Sequence, residues 1–143
     1  MDALQSLFAA AMAARSHAYA PYSGFAVGAA LLTPEGQIFS GANVENAAYP
    51  VGLCAEASAI AGMIAAGARE ISELLVCADS AEPVTPCGAC RQRIFEFALP
   101  SARIHCADLR GAQTSFSLAS LLPQAFGARH LVSNPNASEG ETP

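Results

Sequence analysis

Two short stretches of this chain, Cys54-Ala55-Glu56 and Pro86-Cys87-Gly88-Ala89-Cys90, have residue types and spacing that can do chemistry. Cysteine thiolates are soft ligands that suit zinc. Each stretch opens a segment that reads as a helix, and a helix N-terminus offers unpaired N–H groups and partial positive charge, both of which favour thiolates. Two such ends facing each other would bring three sulfurs together. Three thiolates leave one position of a tetrahedral Zn2+ open, which is the catalytic rather than the structural arrangement, and water held there has its pKa lowered to about 7. Glu56 lies two residues beyond Cys54, close enough to reach that water without being a ligand. A Cys-x-x-Cys pair by itself also fits a redox couple or half of a structural zinc site. The redox reading leaves the first cluster without a role, and the structural one requires a fourth Cys or His. Cys77 and Cys106 sit inside apolar strand patterns and read as small core residues, while His17, His105 and His130 neighbour neither cluster and read as surface or satisfied core histidines.

Stepping outward, the elements that must position these residues follow from periodicity. Leu4, Leu7, Phe8, Ala11 and Met12 form one apolar stripe at helical spacing, which predicts an N-terminal amphipathic helix. Phe25–Thr33 and Gln37–Val44 read as two strands joined by the turn Pro34-Glu35-Gly36, hence a hairpin. Asn43–Gly52 reads as a loop, and Leu53–Ala66 as an Ala-rich helix stopped by Gly67. Leu74–Ala78 is a buried strand, and Pro86–Phe97 a helix ended near Pro100. Arg103–Asp108 is a further strand, Thr114–Leu118 another, and Ser120–Phe126 a short helix. Strands alternating with helices after residue 50 predict parallel members in the sheet, and the opening hairpin makes it mixed. The late strands are apolar throughout and need cover on both faces. The expected fold is therefore α/β, a three-layer α/β/α sandwich with a mixed, mostly five-stranded sheet. Residues 1–132 are read as a single domain and 133–143 as a flexible tail.

Composition narrows the function classes. The chain has 143 residues, of which 52% are hydrophobic and 13% charged, the reverse of a disordered chain. Its net charge is −5, and all seven basic residues are Arg with no Lys. No basic track exists to follow a phosphate backbone, so nucleic acid is not an expected partner. No apolar run reaches the roughly 18 residues of a membrane span, and the N-terminal segment lacks the positive region of a signal peptide. With an odd count of five Cys, the chain reads as cytoplasmic.

The order Cys-x-Glu then Pro-Cys-x-x-Cys is similar to the signature of the zinc nucleobase deaminases, H-x-E with Cys admitted for His, followed by P-C-x-x-C. The likeness extends to Pro21-Tyr22-Ser23-Gly24-Phe25-Ala26-Val27-Gly28-Ala29-Ala30-Leu31, to Gly41-Ala42-Asn43-Val44-Glu45-Asn46-Ala47-Ala48-Tyr49, to Arg91-Gln92 with Glu96-Phe97, and to Leu121-Leu122-Pro123-Gln124-Ala125-Phe126. Together these blocks resemble the small, homotetrameric cytidine deaminases, from about Pro21 to Phe126. The resemblance implies a cytidine deaminase-like fold and one Zn2+ per subunit. It implies hydrolytic deamination of cytidine and 2′-deoxycytidine to the uridines plus ammonia, in pyrimidine salvage. Cys54, Cys87 and Cys90 become the zinc ligands and Glu56 the proton shuttle. Asn43 and Glu45 become the pair that binds the ribose hydroxyls, Phe25 the aromatic flanking the pyrimidine, and the Ala55 backbone N–H the partner of the base carbonyl. Tyr49 and Phe126 become residues that approach a neighbouring subunit's pocket, so the active sites of the homotetramer would be shared.

One position departs from the family pattern. The residue after the catalytic Glu is commonly an Arg that contacts the thiolates, and here it is Ala57. Arg91, adjacent to Cys90, is the expected source of the missing charge. Three other readings stand beside the nucleoside deaminase: a deaminase of another small aminopyrimidine, an RNA- or DNA-editing enzyme, and a zinc-stabilised binding module without catalysis. Asn43 and Glu45 favour a ribose-bearing substrate over the first, and the acidic charge disfavours the second. An open metal position would exclude the third.

Overall fold

The computed structural model describes residues 1–131. An N-terminal helix, α1 (Ala3–Arg15), is followed by the hairpin β1 (Val27–Leu32) and β2 (Ile38–Ala42). A 3-10 turn at Tyr49–Val51 leads into α2 (Ala55–Ala65) and β3 (Ile71–Ala78). Then come α3 (Gly88–Phe97), β4 (Ala98–Ala107), β5 (Gln113–Ser117), the single turn α4 (Leu118–Leu121) and a 3-10 turn at Ala128–His130. The five strands form one mixed sheet in the order β2-β1-β3-β4-β5, in which only β3 and β4 run parallel. The expected three-layer α/β/α architecture is the one observed.

Alternation along the strands builds a core on each face of the sheet. On one face Leu31, Leu74, Val76 and Ile104 meet Ile60 and Met63 of α2 and Ile94 of α3. On the other, Ala30, Leu75, Cys77 and Ala107 meet Leu7 and Ala11 of α1. Two glycines let the helices lie close on the hairpin. A side chain at Gly28 would overlap the Ala11 carbonyl oxygen of α1, and one at Gly41 would lie 2.6 Å from the Ala59 nitrogen and 2.8 Å from the Ala55 carbonyl oxygen of α2. Gly41 thus fixes how near the start of α2 comes to the sheet. The hairpin turn is as expected: the Gly36 N–H donates to the Thr33 carbonyl at 3.0 Å, with Gly36 at φ 88°.

Several boundaries differ from the sequence reading. The first strand begins at Val27, so Phe25 lies outside it, and the second ends at Ala42, leaving Val44 in isolated bridges to Tyr19 and Leu53. The helix expected over Ser120–Phe126 is instead Leu118–Leu121, capped by the Ser117 hydroxyl. It stops there because Pro123 has no N–H to continue it and Gln124 takes φ 54°. The strand expected from Arg103 begins at Ala98, directly after α3. Its pairing with β3 jumps from Ile71↔Ala98 to Glu73↔Arg103, and Pro100 is tolerated inside that break in the ladder. His105 is a satisfied core histidine, its ring nitrogens 2.6 Å from the Ser115 hydroxyl and 2.8 Å from a Glu73 carboxylate oxygen. Cys77 and Cys106 are buried in their strands. Among the described residues no helix is long and apolar enough to cross a membrane. The tail reading at 133–143, and the domain boundary with it, lies outside the described residues.

Candidate active site

The loop from Asn43 to Leu53 delivers the chain to the start of α2, and the segment after β3 delivers it to the start of α3. Cys54 and Cys87 occupy the N-cap positions of the two helices, both in extended backbone, and neither side chain caps its helix. Their sulfurs, freed from capping, turn toward each other at 3.9 Å. Cys90, fully buried in the first turn of α3, completes a cluster whose three sulfurs all lie within 4.8 Å of one another. Tetrahedral zinc with Zn–S of about 2.3 Å requires sulfurs roughly 3.8 Å apart, so the spacing fits such a centre. Cys106 is not part of the cluster; burial and then the charge of Glu56 push its thiol up to about 11.

The electrostatics of the cluster point the same way. Burial pushes the Cys54 thiol up, and the charges of Cys87 and Glu56 add to it. Burial likewise raises Cys90, followed by the charge of Glu56 and of the two other cysteines. At Cys87 burial also acts upward, but the Cys90 backbone N–H and hydrogen bonds with the Cys54 and Cys90 thiols outweigh it and leave the thiol below its ordinary value. Burial thus works against ionisation at Cys54 and Cys90. A divalent cation held by the three sulfurs would offset it, because coordinating thiols are deprotonated.

Glu56 is 5% exposed, in the first turn of α2. Burial raises its carboxyl above the ordinary carboxylate range, against hydrogen bonding to its own backbone N–H and to Cys90 and against the charge of Arg93. A carboxyl raised in this way and buried beside the sulfurs is suited to accepting and returning a proton. The first intrahelical bond of α2 runs from the Ser58 N–H to the Cys54 carbonyl. The N–H groups of Ala55 and Glu56 thus lie ahead of the ladder at the head of the helix.

Cys54, Cys87, Ala55 and Glu56 line a cavity of about 310 Å3 together with Phe25, Asn43 and Glu45. Phe25 is 42% exposed on the cavity wall and so is not a core residue. Both ends of the Asn43 amide are fixed by backbone: Oδ1 accepts from the Val27 N–H at 2.9 Å and Nδ2 donates to the Phe25 carbonyl at 2.8 Å. Glu45 accepts from the Tyr22 and Ser23 N–H groups at 2.9 and 3.0 Å and from the Ser23 hydroxyl. The Ser23 bonds, then that of Tyr22, hold the carboxyl below its ordinary value despite some desolvation. Ser23 was not singled out from the sequence, although a hydroxyl in a Pro-Tyr-Ser-Gly turn is a common side-chain hydrogen-bonding position.

Two expected site residues do not enter this cavity in the single chain. Tyr49 lines an adjoining cavity of about 360 Å3 that shares Ser23 and Glu45 with the first. Phe126 is exposed beside the middle of α3, stacked on His130 at 5.2 Å, its carbonyl accepting from Gln92 Nε2 at 2.8 Å. Arg91 does not reach the sulfurs either. Its guanidinium donates to the Pro86 carbonyl, the Leu121 carbonyl and the Thr85 hydroxyl at 2.8, 2.8 and 2.9 Å, tying the loop before α3 to α4. Arg93 takes the place expected of Arg91, with a guanidinium nitrogen 3.6 Å from the Cys90 sulfur. The i, i+3 spacing of Cys90 and Arg93 was the available signal, since residues three apart share a helix face and adjacent ones do not.

Comparison with known proteins places this arrangement in a family. The family model described as "Cytidine and deoxycytidylate deaminase zinc-binding region" matches residues 1–106. The cytidine deaminase of Sporosarcina psychrophila is 44% identical over 128 residues, covering 90% of this chain and 94% of that protein. That of Halalkalibacterium halodurans is 41% identical, covering 89% and 96%. Among solved structures, the cytidine deaminase of Burkholderia pseudomallei superposes with a TM-score of 0.83 at 43% identity, covering 88% of this chain and all of that one.

Proposed function

The chain belongs to the cytidine and deoxycytidylate deaminase family, and from that premise we propose that it is a zinc-dependent hydrolase converting cytidine and 2′-deoxycytidine, with water, to uridine and 2′-deoxyuridine plus ammonia, in pyrimidine salvage. The observation that carries this reading is a cluster of three sulfurs, two of them (Cys54 and Cys87) lining the cavity that the buried Glu56 carboxyl also lines. Cys54, Cys87 and Cys90 hold one zinc ion per subunit. Bound there, zinc would supply a Lewis acid able to lower a water's pKa to about 7.

Glu56 handles the protons. Its carboxylate takes one from the attacking water and delivers it to N3 of the cytosine ring, which makes C4 electrophilic. The water's oxygen bonds to C4, Glu56 carries that oxygen's remaining proton to the exocyclic amine, and the C4–N bond breaks, releasing ammonia and leaving a carbonyl at C4. One carboxyl serves as base and acid because the steps are sequential. Phe25 packs against the pyrimidine, and the Ala55 N–H donates to the base carbonyl. Asn43 and Glu45, held by the backbone contacts described above, present their remaining lone pairs and N–H to the ribose hydroxyls. Pre-fixed polar groups of this kind bind a sugar with little ordering cost.

The protein assembles as a homotetramer in which Tyr49 and Phe126 reach a neighbour's pocket. In support, both are large, exposed (75% and 56%) and outside their own chain's metal-lined cavity. Residues 1–132 act as one domain. All five cysteines are free thiols, which favours the reducing cytoplasm. The test is direct: the zinc-loaded protein mixed with cytidine should deplete the cytidine absorbance band stoichiometrically with ammonia release. A zinc-loaded protein inert toward cytidine, deoxycytidine and free cytosine would leave the binding-module reading in its place.

A further inference from the structure

We propose that Arg93 is the positioning residue that supplies the counter-charge to the metal-bound sulfurs, reaching back across one turn of α3 to donate a hydrogen bond to Cys90. The proposal rests on the reading above that the cluster holds zinc. Three thiolates on a divalent cation carry a net charge of −1, and the Glu56 carboxylate lies beside them. Cys90 is fully buried, so water cannot screen its sulfur. Helix starts contribute only about half a charge each. Ala57, next to Glu56, has no donor to offer. Among the described residues Arg93 is the cation whose side chain hydrogen-bonds a ligand sulfur, at 3.6 Å, a distance suited to the larger sulfur atom, and this is its one side-chain hydrogen bond. Arg91, its rival by sequence, has its donors directed at Pro86, Thr85 and Leu121.

The chemical consequence is specific. The guanidinium offsets the negative charge of the centre and holds the Cys90 sulfur as an anion against protonation, the step that releases metal, while drawing some electron density from the sulfur so that the metal stays electrophilic. The same charge faces Glu56. Because Arg93 itself is exposed, its replacement removes the donor without opening the core.

The test uses the full chain with Arg93→Met, which keeps the apolar stem, and Arg93→Lys, which keeps a charge but not the fork. Zinc transfer to a chromogenic chelator should be roughly tenfold faster or more in Arg93→Met, the scale of losing an outer-shell partner of a metal ligand, with partial recovery in Arg93→Lys. In cobalt-substituted protein, Arg93→Met should move the sulfur-to-metal charge-transfer band to lower energy, a signature that a purely packing role would not produce. Unchanged zinc transfer and an unchanged band in Arg93→Met overturn the assignment of Arg93 alone. Failure of the unsubstituted protein to take up zinc overturns the deaminase reading together with it.

Discussion

At the start of α1, the Asp2 carboxylate accepts from the Gln5 N–H at 2.8 Å, and the Gln5 side chain accepts from the Asp2 N–H at 3.2 Å. At the starts of α2 and α3 the same N-cap position is held by Cys54 and Cys87, and no side chain caps either helix. The backbone geometry at the three sites is alike, extended at the cap and helical after it. Only the side chain differs. The α1 start closes on itself, while the other two turn the Cys54 and Cys87 sulfurs toward each other at one cavity. A missing cap costs about 1 kcal/mol at each helix, offset here by burial of Ala55, Ala59, Ile60 and Met63 in α2 and of Ile94 in α3. The pair of uncapped ends is thus a marker of function that composition does not carry.

The contrast can be broken at three levels. The largest effect belongs to the first turn of α2: Glu56→Gln should lower kcat roughly 10^2- to 10^4-fold while zinc content, read by atomic absorption, stays at the unsubstituted level. Turnover near that of the unsubstituted protein would remove Glu56 from the reaction. Next come the two close approaches. Gly41→Ala should lower stability by about 1–3 kcal/mol and also depress kcat/KM, because the added methyl pushes on Ala55 and Ala59 at the head of α2. Gly28→Ala should cost a similar amount in urea unfolding but leave kcat/KM near that of the unsubstituted protein, because it displaces α1 instead. Equal kinetic effects of the two would erase the distinction between the helices. The smallest effect is at the caps. Asp2→Ala should destabilise by about 1 kcal/mol with activity retained. In chelator-treated protein, Cys87→Ser should raise the melting temperature slightly, because serine is a better helix cap than cysteine. A fall in that melting temperature would mean that Cys87 has a structural role of its own.

Much of the site was legible as local pattern. Cys54, Glu56, Cys87 and Cys90 sit at the helix starts where their spacing put them, since two residues from cap to first turn and three within a turn are fixed by helical geometry. The hairpin, the buried strands and the stop at Gly67 followed from turn chemistry and periodicity in the same way. What failed was adjacency across space. Arg91 looked right because it follows Cys90 in the chain, but on a helix neighbours point about 100° apart, and the sulfur is met by Arg93. Phe25 looked like the first residue of a strand, yet pairing with β3 begins only at Val27. The helix through Phe126 looked continuous until Pro123 and Gln124 ended it.

The sequence by itself determined which atoms are available: three thiols, one carboxyl, the uncapped helix heads and the glycines that let α2 lie against β2. These are properties of residue type and of short-range geometry, which covalent structure and helix pitch impose wherever the segment ends up. Only the tertiary structure decided that the heads of α2 and α3 face each other with Cys54 and Cys87 sulfurs 3.9 Å apart and that Glu56 is buried beside them. Those distances are set by how two helices pack on one face of a shared sheet, through side chains far apart in the chain, and no spacing along the sequence encodes them.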